Sequence, residues 1–229
     1  MTMHVWQNLV SDGSVRSLKY SFGVGSANTM AARLDDGSWL VVSPAVGVPA
    51  SALDELAKDG PVSALVAPNA FHHMGQKSWR ERFPSAVSYA PEGALTRLGK
   101  QAKGVPFRAL GELSLPARVR LVVPDGMKAP DVVALVGTPE GNVVFGGDLI
   151  SNTVAADVSF LPRLVFGLLG GGPGYRLNPV PRIVYVKDRA AWTDHFRRLL
   201  TDAPLATMLP AHGDAVRDDV NARTRALFA

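Results

Sequence analysis

The 229-residue chain contains no cysteine, which removes disulfides, thiolate metal ligands and a cysteine nucleophile together. Any metal it binds must be held by histidine, carboxylate or water. No Gly-x-Ser-x-Gly segment is present, and Ser43-Pro44 lacks the glycine pair that would let a serine stand on a strained turn, so a covalent mechanism has no carrier. Aromatic residues are sparse at 7%, and Lys and Arg never run more than two together. The chain therefore offers no interleaved basic and aromatic platform for nucleic acid, and its net charge of +4 speaks only for anionic ligands in general. No apolar run is long enough to span a bilayer. The start, MTMHVWQNLVSDGS, has no basic stretch followed by an apolar one, which predicts a cytoplasmic address.

What is present is ordinary for a globular protein: 47% hydrophobic and 19% charged residues. Nothing resembles a linker, so one domain over 1–229 is expected. Period-two patterns around Asp-Gly turns predict strands at Val5–Val10, Val15–Phe22, Asn28–Leu34 and Trp39–Val42. The pattern then alternates: a helix from an N-cap at Ser51 to Ala57, a strand Val62–Ala67, a helix Ser78–Phe83, a strand Val87–Ala90 and a helix Glu92–Lys100. Further strands are predicted at Val119–Val123, Val132–Val136, Asn142–Phe145 and Ala206–Leu209, with helices at Ala190–Leu200 and Arg217–Phe228.

The stretch PNAFHHMG, Pro68 to Gly75, directly follows the apolar strand ending at Ala67. On a turn, unlike on a strand, the neighbouring rings of His72 and His73 can converge on one point, and convergent imidazoles suit a divalent transition metal. Asp148 follows the strand ending at Phe145, and His212 follows the one ending at Leu209. One sheet edge could gather all four, because open α/β sheets place their chemistry at strand C-termini. Asp148 could instead cap a following turn, and Asp131 is expected at the surface, with an approach to the metal site as its alternative. Asp214 could assist with protons. His4 and His195 have no motif around them, and His195 beside Phe196 reads as a partly packed helix histidine. The glycines of 170–174 follow no strand and precede no Lys-Ser or Lys-Thr, so they read as a connection and not a phosphate loop. The apolar segment 158–169 could be core, the wall of a pocket or the face of a homo-oligomer.

The order strand-His-His-x-Gly, then Gly-Gly-Asp-Leu, then Pro-Ala-His-Gly-Asp resembles the metallo-β-lactamase superfamily. Within it, Ser43-Pro44 and the Pro-Asn...His-His motif resemble a branch known only as a domain of unknown function. The resemblance covers essentially the whole chain. It implies an α+β fold, an αββα sandwich of two mixed sheets flanked by helices. The superfamily motif is H-x-H-x-D-H-x-G. With its last histidine on His73, the first two fall on Pro68 and Ala70, and His72 stands in place of the aspartate. Met127 occupies the third-motif histidine position, and Ser43 replaces an early aspartate that supports the metal through outer contacts.

These departures have a pattern. One metal of the dinuclear members would rest on Pro68, Ala70 and Met127, so that site is abolished. The other keeps His72, His73, Asp148 and His212. The resemblance thus implies a mononuclear metal-dependent hydrolase of small molecules, with zinc, or iron or manganese, acidifying water and polarising a carbonyl or phosphoryl oxygen. Asp148 and His212 would carry catalysis on an ester, lactone, thioester, amide or phosphodiester. The alternative is a non-catalytic binding module on the same fold. An iron oxidoreductase is disfavoured, because mononuclear iron members resemble the site that is lost here.

Overall fold

A computed structural model describes residues 4–23, 25–154, 172–201 and 204–229. Short antiparallel strands open the chain: β1 (Gln7–Asn8), β2 (Val15–Ser21), β3 (Ser26–Arg33) and β4 (Trp39–Val42). Three strand-helix crossovers follow, through α1 (Ala50–Ala57), β5 (Val62–Val66), α2 (Gln76–Arg82), β6 (Val87–Ala90), α3 (Glu92–Gln101) and β7 (Phe107–Ala109). Together they make a seven-stranded sheet in sequence order, antiparallel up to β4 and parallel from β4 to β7.

A second sheet has the order β13-β10-β9-β8, from β8 (Val119–Val122), β9 (Val133–Thr138), β10 (Gly141–Phe145) and β13 (Leu205–Leu209). Its β10 and β13 run parallel and the remaining pairs antiparallel. A small third sheet, β12-β11-β14, joins β11 (Ile150–Thr153), β12 (Gly174–Leu177) and β14 (His212–Gly213). Three helices close the chain: α4 (Pro179–Tyr185), α5 (Arg189–Thr201) and α6 (Val220–Ala226).

Strand periodicity explains the layering. Met30, Leu40, Val42 and Val66 face Val136, Val143, Phe145 and Leu209 between the two large sheets. Their strand neighbours Ala31, Trp39, Val41 and Leu65 point the other way, onto Leu53, Leu56 and Trp79 of the first helices. In the second sheet Leu135, Val144 and Met208 pack against Trp192, Phe196, Leu200 and Val220 of α5 and α6. Strands apolar on both faces, such as Trp39–Val42, are fully buried because helices cover the side that the opposite sheet does not. The result is a helix-sheet-sheet-helix sandwich.

Several boundaries differ from the sequence expectation. The first strand shrinks from Val5–Val10 to Gln7–Asn8. Ser51 lies inside α1, whose N-cap is Pro49 with no side-chain bond. Elements at 107–109, 150–153, 174–177 and 179–185 differ from the expectation: the three strands carry no apolar or alternating run, and Pro179 and Pro181 break the helical signal of the last. The segment 158–169 lies outside the described residues. Among the described residues, no helix is long and apolar enough to cross a membrane.

Candidate metal centre

Four strand ends supply the site. Ser43 follows β4, Asn69 and His72 follow β5, Asp148 follows β10, and His212 follows β13. His72 is 8% exposed, and its Nε2 lies 2.7 Å from Asp148 Oδ1. His212 Nε2 lies 3.2 Å from the same oxygen. These three residues each offer one ligand atom, all within 4.8 Å of one another, and among the described residues they form the only such group.

The far nitrogen of each ring is tied down. His212 Nδ1 donates to the Ser26 carbonyl at 2.8 Å, which fixes its tautomer and turns Nε2 toward Asp148. His72 Nδ1 lies 2.8 Å from Ser43 Oγ. Ser43 is fully buried and left-handed at φ 57°, a conformation that costs an L-residue about 1–2 kcal/mol. The strain is held because its carbonyl accepts Thr29 Oγ1 at 2.6 Å and its hydroxyl lies 3.4 Å from Tyr20 OH. Burial pushes the Tyr20 phenol up to about 12, so it stays protonated.

The other half of the Asp148 carboxylate is occupied by protein donors. Asn69 Nδ2 donates to Oδ2 at 3.0 Å, and the Tyr185 hydroxyl, at the end of α4, donates to it at 3.1 Å. Asn69 also donates to Asp131 Oδ1 at 2.8 Å and accepts the backbone N–H groups of Phe71 and His72, an Asx turn that shapes the loop. Asp131 is 1% exposed, not the surface aspartate expected, and its Oδ2 accepts the Asp148 backbone N–H at 2.8 Å. Gly147 leaves room for that carboxylate, which sits where a Cβ would be.

Burial and the neighbouring Asp148 charge raise the Asp131 carboxyl well above its ordinary value. Burial works in the same sense on Asp148, yet the His72 and His212 rings outweigh it and hold that carboxyl well below the ordinary range. Burial would lower His212, but its hydrogen bond to Asp148 reverses this and its pKa is raised. Burial and Asp148 together push the Tyr185 phenol up.

The structure brings His72, Asp148 and His212 together and leaves His73 out of that group. The His73 ring donates through Nδ1 to the Ala70 carbonyl at 3.0 Å, which anchors it on its own loop. Its pKa is lowered, chiefly by burial and then by His72 and Arg97. At the positions of the lost ligands, the Pro68 carbonyl accepts Val132 N at 2.9 Å and Met127 forms a bridge with Val186. Asp214 pairs with Lys19 at 3.1 Å, and His195 pairs with Asp125 at 3.0 Å while packing on Phe196.

Sequence reasoning missed Asn28. Wholly buried on β3, it donates through Nδ2 to the carbonyls of Pro210 at 2.9 Å and Gly213 at 2.6 Å, and its backbone N–H reaches Ala211 O. It therefore clamps both sides of His212. Gly213, at φ 99°, sits against the Asn152 backbone where no side chain fits. Nothing in the sequence signalled Asn28, because a polar residue inside a strand is conspicuous only once its partner across the sandwich is known.

No family model matches the chain, and no curated protein sequence is significantly similar to it. Solved structures do resemble it. The DIM-1 metallo-β-lactamase exposed to ceftazidime is 14% identical, with 99% of this chain and 97% of that chain covered and a TM-score of 0.63. The FIM-1 metallo-β-lactamase from Pseudomonas aeruginosa, in its mono-zinc form, is 16% identical, with 99% and 95% covered and a TM-score of 0.61. A metallo-β-lactamase from Pontibacter korlensis is 14% identical, with 98% of each chain covered and a TM-score of 0.56. With its two mixed sheets between helices, the chain has the metallo-β-lactamase fold.

Proposed function

We propose that this protein is a hydrolase of small molecules that works with one divalent metal, zinc foremost and iron or manganese as alternatives, held by His72, Asp148 and His212. The observation that carries the reading is the convergence of both Nε2 atoms on Asp148 Oδ1 while both Nδ1 atoms are tied to Ser43 and Ser26. Two imidazoles and a carboxylate match the donor set of catalytic zinc sites that keep one position open. A bound metal would supply Lewis acidity toward water and toward a carbonyl or phosphoryl oxygen. The residues around it orient and insulate. Asn69 and Tyr185 hold Oδ2, which directs Oδ1 at the histidines and leaves that side of the carboxylate no lone pair for a second metal. His73, the remaining member of the expected ligand set, is not among the residues whose ligand atoms cluster with those of the other three.

Ser43, His72 and Asp148 share the connectivity of a serine-hydrolase triad, but Ser43 is 0% exposed and no substrate can reach its hydroxyl. The mono-zinc form of the FIM-1 neighbour supports a single-metal reading on this fold. One observation favours the non-catalytic alternative: Asp148 and the two rings satisfy one another directly.

Elemental analysis and zinc titration of chelator-treated protein test the proposal, with one tight equivalent per chain expected. Ester, lactone, thioester, amide and phosphodiester substrates are then screened with wild type, Asp148→Ala and His212→Ala, with and without chelator. Hydrolysis abolished by chelation and by either substitution supports the reading. Turnover that survives all three would refute it, and no turnover by fully loaded wild type transfers the case to the binding module.

A further inference from the structure

The loop that carries His72 also carries Phe71, a large aromatic that is 44% exposed at the rim of the centre. Its ring is held at both sides. The Tyr185 ring lies 6.2 Å away, and Tyr185 in turn touches Asp148. Over the face of Phe71, at 4.2 Å from its centroid, lies the guanidinium of Arg97 from α3.

Arg97 is exposed and forms no ion pair with any carboxylate among the described residues. It is nevertheless positioned. With the Gln101 amide oriented to satisfy its neighbours, its oxygen accepts Arg97 Nε at 3.2 Å while its nitrogen donates to the Ala70 carbonyl at 2.9 Å. The guanidinium is thus fixed by a ring face and by Nε, and its two terminal amino groups make no hydrogen bond among the described residues. A planar fork held in place with unused parallel donors is the arrangement that recognises carboxylate and phosphate groups. After Glu92, α3 carries no acid to neutralise it, and Lys100 follows one turn on. A plain stacking pair that shields Phe71 would explain the 4.2 Å contact, but not the amide brace that leaves the fork open.

We infer that Arg97, stacked on Phe71 beside the metal centre, reads a negative charge, so that the small-molecule substrate of this site is an anion carrying a carboxylate or a phosphate. The inference rests on the proposed function for its link to catalysis, although the anion site itself stands on Arg97, Phe71 and Gln101. Phe71 and Tyr185 give the bound molecule an apolar wall between the charge and Asp148. The +4 net charge adds a field of the right sign for attracting such a ligand.

Binding of phenyl phosphate, benzoate and neutral benzyl alcohol is measured by NMR titration on zinc-free and on zinc-loaded protein, with wild type, Arg97→Gln and Arg97→Lys. In the zinc-free protein, where an anion has no metal to bind, wild type should prefer an anionic probe over benzyl alcohol by at least about fivefold. Arg97→Gln should abolish that preference and Arg97→Lys should recover part of it, because lysine keeps the charge without the fork. The preferred anion, carboxylate or phosphate, names the substrate group. Equal binding of charged and neutral probes by wild type would overturn the inference, and so would an unchanged preference in Arg97→Gln. Arg97-dependent anion binding by a chain that takes up no zinc would keep the anion site and discard the hydrolase, so the two failures are separable. Arg97 is exposed and its replacement should leave the fold intact, which unchanged amide chemical shifts outside the rim would verify.

Discussion

The His72 loop and the His212 loop both present an imidazole Nε2 to one oxygen of Asp148, yet they are held by opposite means. His72 is fixed by side chains: Ser43 at its Nδ1, and Asn69 through the Asx turn beneath it. His212 is fixed mainly through backbone: the Ser26 carbonyl at its Nδ1, and the Pro210 and Gly213 carbonyls clamped by Asn28. The first arrangement tolerates substitution, since another side chain can reach the same ring. The second depends on a β3 strand that must stay in register across the gap. A ligand held by backbone should therefore be harder to weaken by a side-chain change in its own loop, Gly213 apart, and easier to weaken by a change elsewhere.

Both loops lose their common partner if Asp148 is changed, and the effect should be the largest. Asp148→Asn, which keeps the shape and loses the charge, should weaken zinc binding by more than about 100-fold, since it deletes a ligand where outer contacts alone are worth about 10- to 100-fold. Competition with a chromophoric chelator reads this, and binding within a few-fold of wild type would place the metal elsewhere. Asn28→Ala should come next. It frees the carbonyls on both sides of His212 and should cost about 10-fold or more in zinc affinity, together with about 1–3 kcal/mol of stability measured by urea unfolding. A loss of stability with zinc affinity untouched would reduce Asn28 to a packing role.

On the side-chain-held loop the expected effects are smaller. Ser43→Ala should lower zinc affinity by about 10-fold or less, because His72 keeps its burial and the Asn69 turn. Ser43→Gly loses the same hydroxyl but relieves the left-handed backbone, and should be the more stable of the two variants by about 1 kcal/mol. Reversal of that order in urea would show that φ 57° is not a source of strain. His73→Ala should have the least effect, under about twofold on zinc affinity, because its ring nitrogens lie outside the cluster formed by His72, Asp148 and His212. A loss equal to that of His212→Ala would return His73 to the ligand set.

Much of this protein was legible in its sequence. Period-two and period-3.6 patterns located the long elements, because burial on one or both faces imposes those periods whatever the tertiary contacts. Trp39–Val42 and Val87–Ala90 have the expected ends, whereas Ser51 is not a cap and the two-residue β1 is barely a strand. The sequence also presented His72, Asp148 and His212 as polar residues just after apolar strands, since a strand that ends in the core must deliver its next polar residue to the edge. What only the tertiary structure decided were the roles of neighbours in space. Two adjacent histidines follow different paths because Asn69 turns one backbone N–H inward while Ala70 O takes the other ring. Asp131 is buried because Gly147 leaves it room, and Asn28 grips a loop 182 residues away at Pro210. Such pairings depend on how two sheets face each other, and directional hydrogen bonds across that gap leave no period in the chain that makes them.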